Sequence, residues 1–400
     1  METILPAAAP ETVGLSSKGL ARIDDLLARA IADGELPGAA VLVARDGKVA
    51  HRSVQGLNSL AEKTPLTEDA IFRIFSMTKP VTAVAMMILH DEGLWSPDDP
   101  IAKHLPAFAG VKGPGGAPVD HPPTLRELMT HTAGFGYGIG PGPHDETDQA
   151  YIAAGVWQAD DLADLSRRVA SIPLAYQPGT SWRYSLGMDL EGAVIERLSG
   201  QSLPDFMRSR ILAPLGMADT DFLIPEAKRA RQTTLYHMYG TTELTVLDHP
   251  GFVRDNRTIP RIASGGGGLY STLDDYARFA QMLLNGGELG GVRVISPEAV
   301  RMMTANHLPD ALMQKGFLAG MQRIGPGRGY GFNGAVFTDP ALADSPVGQG
   351  TYQWDGASGA WFWIDPEHQI LFVGMIQRML QEGMPRLQAL TQALVAEAML

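Results

Sequence analysis

Ser76-Met77-Thr78-Lys79 stands at the front of an apolar run, Val81, Val84, Ala85, Met86, Ile88 and Leu89, whose spacing predicts a buried helix. Residues i and i+3 share a helix face, so the Ser76 hydroxyl and the Lys79 amine are expected to project together. A serine is a poor nucleophile until a base takes its proton, and a lysine becomes that base where its surroundings lower its pKa. The tetrapeptide thus joins a nucleophile to a candidate base, with a geometric reason for their spacing. A motif this short also arises by chance, as a helix start with a solvated lysine, and needs support elsewhere.

Support comes from two stretches downstream. Tyr184-Ser185-Leu186 follows the Pro178-Gly179 turn signal and opens a second apolar helix (Met188, Leu190, Val194, Ile195, Leu198) that stops at Gly200. Trp354-Asp355-Gly356-Ala357-Ser358-Gly359 precedes a strand-like run, Ala360 to Ile364. This motif order resembles that of serine β-lactamases and penicillin-binding proteins. Within that class C β-lactamase superfamily the chain is most similar to the esterase branch, the family VIII carboxylesterases. Leu125 to Gly134, Gly265 to Ser271 and Trp361 to Pro366 match as well, so the resemblance spans about residues 11 to 390.

The resemblance implies an α+β, β-lactamase-like fold: an antiparallel sheet flanked by helices and built from both chain ends, plus an all-helical insert domain. It also implies roles. Ser76 would attack a carbonyl carbon and become acylated, while Lys79 and Tyr184 handle its proton and later supply one to the leaving alkoxide. Which of the two is the base stays open, because free lysine and tyrosine both titrate near 10. The family's oxyanion hole uses two backbone N–H groups, which correspond here to Ser76 and Ala357. Gly356 and Gly359 would allow close backbone approach.

Departures from the lactamase pattern bear on the substrate. Where penicillin-recognising relatives carry Lys-Thr-Gly, this chain has Trp354-Asp355-Gly356; where they carry Tyr-x-Asn, the third position is Leu186. Both changes remove polar anchors suited to a carboxylated lactam and favour a short, neutral ester. Trp354, Gly356, Leu186, Phe135 and Tyr137 are the candidate substrate-binding positions. The loop Gly134 to Gly140, with Trp157 and Trp182, reads either as the lining of an acyl pocket or as ordinary core aromatics. His131 reads as a structural hydrogen-bonding residue.

Other chemistries lack a signal. Gly265 to Gly268 is not followed by Gly-Lys-Ser/Thr, which rejects a phosphate loop, and no His-Glu-x-x-His or other zinc spacing occurs, so no cofactor or metal is expected. No Gly-x-Ser-x-Gly elbow is present. The absence of cysteine removes disulfides and thiolate catalysis. A net charge of −12 argues against nucleic acid or an anionic membrane as partners. With no basic leader and no long apolar run, a cytoplasmic location is the expectation.

Along the chain, residues 16–32 read as a helix capped by Ser16 or Ser17, and Gly38–Ala44 and Lys48–Val54 as strands joined by the Asp46-Gly47 turn. Helices dominate from about 73 to 285. Strand signals resume near 329–337, 352–363 and 369–377, and a last helix, about 385–399, carries Leu387, Leu390, Leu394 and Met399 on one face. The expected division is residues 1–72 with 290–400 as one discontinuous domain and 73–289 as a mostly helical one, the active site lying between them. The leading function is a serine carboxylesterase acting on a small-molecule ester. Its rivals are an acyltransferase to an alcohol, a weak β-lactamase or amide hydrolase, and a silent binding protein.

Overall fold

Asp46 and Gly47 both take positive φ, 51° and 71°, as a two-residue hairpin turn matched to strand twist requires. The turn joins β1 (Gly38–Arg45) to β2 (Lys48–Ser59), and β3 (Thr64–Pro65) follows in this computed structural model. It describes residues 5–139, 145–249, 256–319, 322–381, 384 and 386–400. Five further strands come late in the chain: β4 (Arg328–Tyr330), β5 (Ala335–Phe337), β6 (Tyr352–Asp355), β7 (Trp361–Asp365) and β8 (Ile370–Ile376). All eight form one antiparallel sheet in the order β4-β5-β6-β7-β8-β1-β2-β3. The seam between early and late chain is β8 against β1, with Ala39 opposite Ile376. The runs read near 329–337 and 352–363 are each folded back on themselves. Asn333 (φ 60°) and Gly359 (φ 85°) occupy the turns that reverse them.

Both faces of the sheet are covered, which explains why β1 is apolar without alternation. Ala40, Leu42 and Ala44 join Phe362, Leu371 and Val373 in the larger core. Ala39, Val41 and Val43 point the other way, joining Trp361, Trp363 and Phe372 under the Ser17–Ala32 and Leu387–Glu397 helices. Ser16 caps the first of these by accepting from Gly19 N. In the second, Leu387, Thr391 and Val395 recur every four residues and are buried. Leu390, expected on that face, is instead 40% exposed, because it falls one position off this stripe.

Between β3 and β4 the regular structure among the described residues is mostly helical. Thr78–Asp91 is buried at every position from Thr78 to Leu89, so it is apolar all round rather than striped. Pro80 sits in its first turn, where no intrahelical N–H is needed. Gly187–Ser199 packs beside it and ends at Gly200, left-handed at φ 69°. Leu273–Leu284 lies on the sheet, with the Tyr276 and Phe362 rings 5.1 Å apart. No helix among the described residues is long and apolar enough to cross a membrane.

Candidate active site

Ser76 lies in a single 3-10 turn, Phe75–Met77, that runs into the Thr78–Asp91 helix. The residue before it, Phe75, is held at φ +41°, a conformation an L side chain rarely adopts. Neighbours fix this turn. Tyr276 Oη donates to Met77 O at 2.8 Å, and Leu269 N donates to Thr78 Oγ1 at 3.1 Å. Gly356, at the end of β6, lies against the Ile74 carbonyl so closely that a methyl group there would collide with it.

The three motif residues meet. Lys79 Nζ is 3.0 Å from Ser76 Oγ and donates to Gly266 O at 2.6 Å. Tyr184 Oη donates to the same Ser76 oxygen at 2.7 Å. Lys79 is fully buried, and burial lowers its pKa to about 7 against the opposing pull of Asp189, Glu191 and Asp355. Burial raises the Tyr184 phenol well above 10; Tyr137 adds to this and the bond to Ser76 opposes it. Near neutral pH the lysine is therefore substantially free to accept a proton and the tyrosine keeps its own. Ser76 and Ala357 both line the adjoining cavity, and their backbone N–H groups have no acceptor among the described residues.

Behind Lys79 lies a polar layer that the sequence reading missed. Asp189 and Glu191, both fully buried, come from the start of the Gly187–Ser199 helix. Ser264 Oγ donates to Asp189 at 2.6 Å, while Asn333 Nδ2 donates to Glu191 at 2.8 Å and to Lys79 O at 3.1 Å. Burial raises the Glu191 pKa to about 8. The Gly265 to Gly268 run packs on this helix, and a methyl at Gly265 would strike Met188 O. Two acids inside an apolar helical stretch carry no spacing signal, so only the glycine run marked the region. His131 is buried and accepts from Ser185 N at 3.2 Å, its ring 4.7 Å from that of Tyr184. It supports the tyrosine and does not reach Ser76.

The cavity beside Ser76 has a volume of about 280 Å³ and is walled by Tyr137, Ile139, Trp157, Tyr184, Tyr270, Met379 and Leu380, with Arg73 at its edge. Of the five expected substrate-binding positions only Tyr137 lines it. Asp148 holds its loop, accepting from Tyr137 N and Gly138 N at 2.9 Å each. Phe135 (2% exposed) packs edge-on against Phe108, and Leu186 (0%) precedes the Gly187–Ser199 helix in the core. Trp354 (2%) is stacked on the Tyr184 ring at 6.1 Å and does not line the cavity, so it reaches substrate only through that residue. Gly356 contacts the turn that carries Ser76. Trp157 lines the cavity whereas Trp182 stacks on Phe317 instead; Gly140, the end of that loop, lies outside the described residues. A smaller cavity of about 80 Å³, behind Asp355 and Gln353, does not include Ser76. Among the described residues no three acidic or histidine side chains converge as metal ligands.

A large antiparallel sheet built from both chain ends, flanked by helices, with a serine, a lysine and a tyrosine meeting at one oxygen, defines a class of serine acyl-transfer proteins. The chain belongs to the Beta-lactamase family, whose description matches residues 23–397. It is 34% identical over 368 residues to Esterase EstB of Burkholderia gladioli, covering 88% of this chain and 89% of that protein. Lovastatin esterase of Penicillium rubens is 29% identical over 384 residues, 90% and 93% of the two chains. Among solved structures, EstCE1, a hydrolase with promiscuous acyltransferase activity, superposes with a TM-score of 0.80 at 27% identity, over 95% of this chain and 99% of that one.

Proposed function

We propose that this protein is a serine carboxylesterase that hydrolyses short-chain neutral esters through an acyl-enzyme on Ser76. The observation that carries this reading is the placement of Ser76 Oγ within hydrogen-bond reach of both Lys79 Nζ and Tyr184 Oη at the wall of a mostly apolar cavity. The pKa directions favour Lys79 as the base. With its amine neutral, Ser76 O–H donates to Nζ while Tyr184 O–H donates to Ser76 Oγ. Attack on the ester carbonyl moves the serine proton to Lys79 and places the developing oxyanion against the N–H groups of Ser76 and Ala357. As the tetrahedral adduct collapses, Tyr184 gives its proton to the departing alkoxide and is reprotonated from Lys79. Water then repeats the sequence in reverse and releases the carboxylic acid.

The mostly aromatic and aliphatic cavity wall supports a small ester over a lactam or peptide, and the chain carries Trp354-Asp355-Gly356 where penicillin-recognising relatives carry Lys-Thr-Gly. An alcohol in place of water would make the same acyl-enzyme a transferase, and the acyltransferase activity in the name of EstCE1 favours keeping that second reading. The division near residues 72 and 290, with the site at the junction, is part of the same proposal. It is supported by Gly356, just past β6, packing on Ile74, and by Lys79 and Tyr184, at or just before the starts of the two helices, both reaching Ser76.

The test is mass spectrometry of the protein mixed with p-nitrophenyl butyrate, alongside steady-state hydrolysis of that ester and of a chromogenic cephalosporin. A butyryl group on Ser76 and faster turnover of the ester are expected; an acyl group on another residue, or preference for the cephalosporin, would overturn the reading. Adding an alcohol and measuring the ester it forms separates transfer from hydrolysis.

A further inference from the structure

Arg73 ends the short strand Phe72–Arg73, three residues before Ser76, and lines the same cavity. Its guanidinium is spoken for only by neutral groups. NH1 donates to Thr233 O at 3.0 Å, and the Gln232 amide, turned to face it with oxygen, accepts at 3.0 Å and 2.6 Å. The Tyr270 ring lies 5.8 Å from its central carbon, and Nε is buried with no partner. No Asp or Glu among the described residues acts on it, and burial holds its pKa below the ordinary value. Arg52, Arg126, Arg183, Arg208 and Arg231 each meet a carboxylate; Arg45, Arg328 and Arg378, like Arg73, bond only to neutral acceptors, but none of those three lines the cavity beside Ser76.

A desolvated cation without a counter-charge is unfavourable in the free protein. It becomes favourable when a ligand brings the missing charge, since a guanidinium matches a carboxylate with paired, charge-assisted hydrogen bonds. Most of the remaining lining is aromatic or aliphatic, and Arg73 is the one charged side chain among the described residues that line the cavity. We propose that Arg73 is a carboxylate-binding subsite, so that the esters this cavity takes best carry an acidic group away from the bond that Ser76 attacks. The proposal rests on the Ser76 acyl-enzyme reading and amends its substrate: the bond attacked belongs to an ordinary ester, but the best substrates carry an acidic group at a distance from it. Arg73 lines the cavity whereas Trp354 does not, so this cation serves an acid placed differently from that of a penicillin-recognising relative's substrate.

The experiment measures kcat/KM for two matched pairs: mono-p-nitrophenyl glutarate against p-nitrophenyl valerate, with the acid on the acyl side, and 4-carboxyphenyl butyrate against phenyl butyrate, with the acid on the alcohol side. At least one acid-to-neutral ratio should fall about tenfold to a hundredfold in Arg73→Met, and Arg73→Lys should retain part of it. A purely structural Arg73 would lower both members of each pair together, and unchanged ratios in both pairs overturn the proposal. Should Arg73→Met fail to fold, inhibition of the parent protein decides. Glutarate should inhibit valerate ester hydrolysis at concentrations where glutaramide does not, and equal inhibition overturns the idea. If no ester is turned over at all, the esterase reading fails instead. The subsite is then judged by calorimetric titration of glutarate into the parent and Arg73→Lys proteins, where absence of binding to the parent overturns it.

Discussion

The Tyr184 ring covers the Lys79 amine, with Nζ 4.5 Å from the ring centre, while the hydroxyl of the same ring reaches Ser76 Oγ. One side chain is therefore placed for two separable things: to shield Lys79 and, in the proposed mechanism, to carry a proton. Tyr184→Phe keeps the shield and deletes the hydroxyl. It is expected to lower kcat by about two to four powers of ten while the pH at which activity falls off stays in place. Full pH–rate profiles of both proteins check this, and a Phe variant with most of its rate would remove Tyr184 from the proton path.

In the proposed mechanism Lys79 sets the acid limb. Below its pKa of about 7 the amine is protonated and cannot accept the Ser76 proton, so kcat/KM should fall as pH drops. Each unit below that value should cost about tenfold. Asp189 heads the charges that oppose the effect of burial on Lys79, so Asp189→Asn should let the lysine lose its proton more readily and move the limb to lower pH. A rate of p-nitrophenyl butyrate hydrolysis that is flat from neutral pH down to 5 would rule out neutral Lys79 as the base.

Ser76→Ala should abolish labelling by a fluorophosphonate as well as turnover. Lys79→Met, of similar length and uncharged, should fold but react about a thousandfold more slowly or worse. Gel fluorescence and single-turnover rates measure both, and labelling that survives in Ser76→Ala would point to a different nucleophile.

Gly356→Ala tests the contact between β6 and the nucleophile turn. The added methyl meets the Ile74 carbonyl, which is backbone and cannot swing aside. An overpacking cost of about 1–3 kcal/mol is expected, together with a fall in kcat as Ala357 shifts from its place beside Ser76. Denaturant unfolding and kinetics separate the two effects. Wild-type values for both would show that the turn has slack.

Trp354→Ala should cost about 3–5 kcal/mol, the range for emptying a large buried site. Because the indole touches Tyr184 and not the cavity, kcat should suffer more than KM, and Trp354→Phe should recover part of the loss. A change confined to KM would put the indole against the substrate after all.

The sheet and the convergence of Ser76 with Lys79 are legible in the chain because each leaves a local trace. Asp46-Gly47 announces a hairpin, Ser16 a helix start, and the Ser76/Lys79 spacing a shared helix face. What escaped is set by partners distant in sequence. Nothing near Phe135 or Leu186 tells which side of a loop faces solvent, and both turned into the core. Leu390 sits in an apolar helix whose buried stripe is decided by the sheet beneath it. Asp189, Glu191 and Asn333 acquire meaning only once Lys79 is placed among them, and Arg73 only once its surroundings prove to hold no carboxylate.

The pairing of Ala39 with Ile376 also bears on how the chain is made. During synthesis β1, apolar on both faces, emerges early and must wait until nearly the whole remaining chain has been translated before β8 can pair with it. In the interval its open edge and bare faces are available to other nascent chains. The Ser76 turn leans on β6, which arrives late as well, so reactivity should appear only at the end of translation. Ribosome-bound chains stopped before residue 350 should bind chaperones and show no fluorophosphonate labelling, and labelling should begin once β6 to β8 have cleared the exit tunnel.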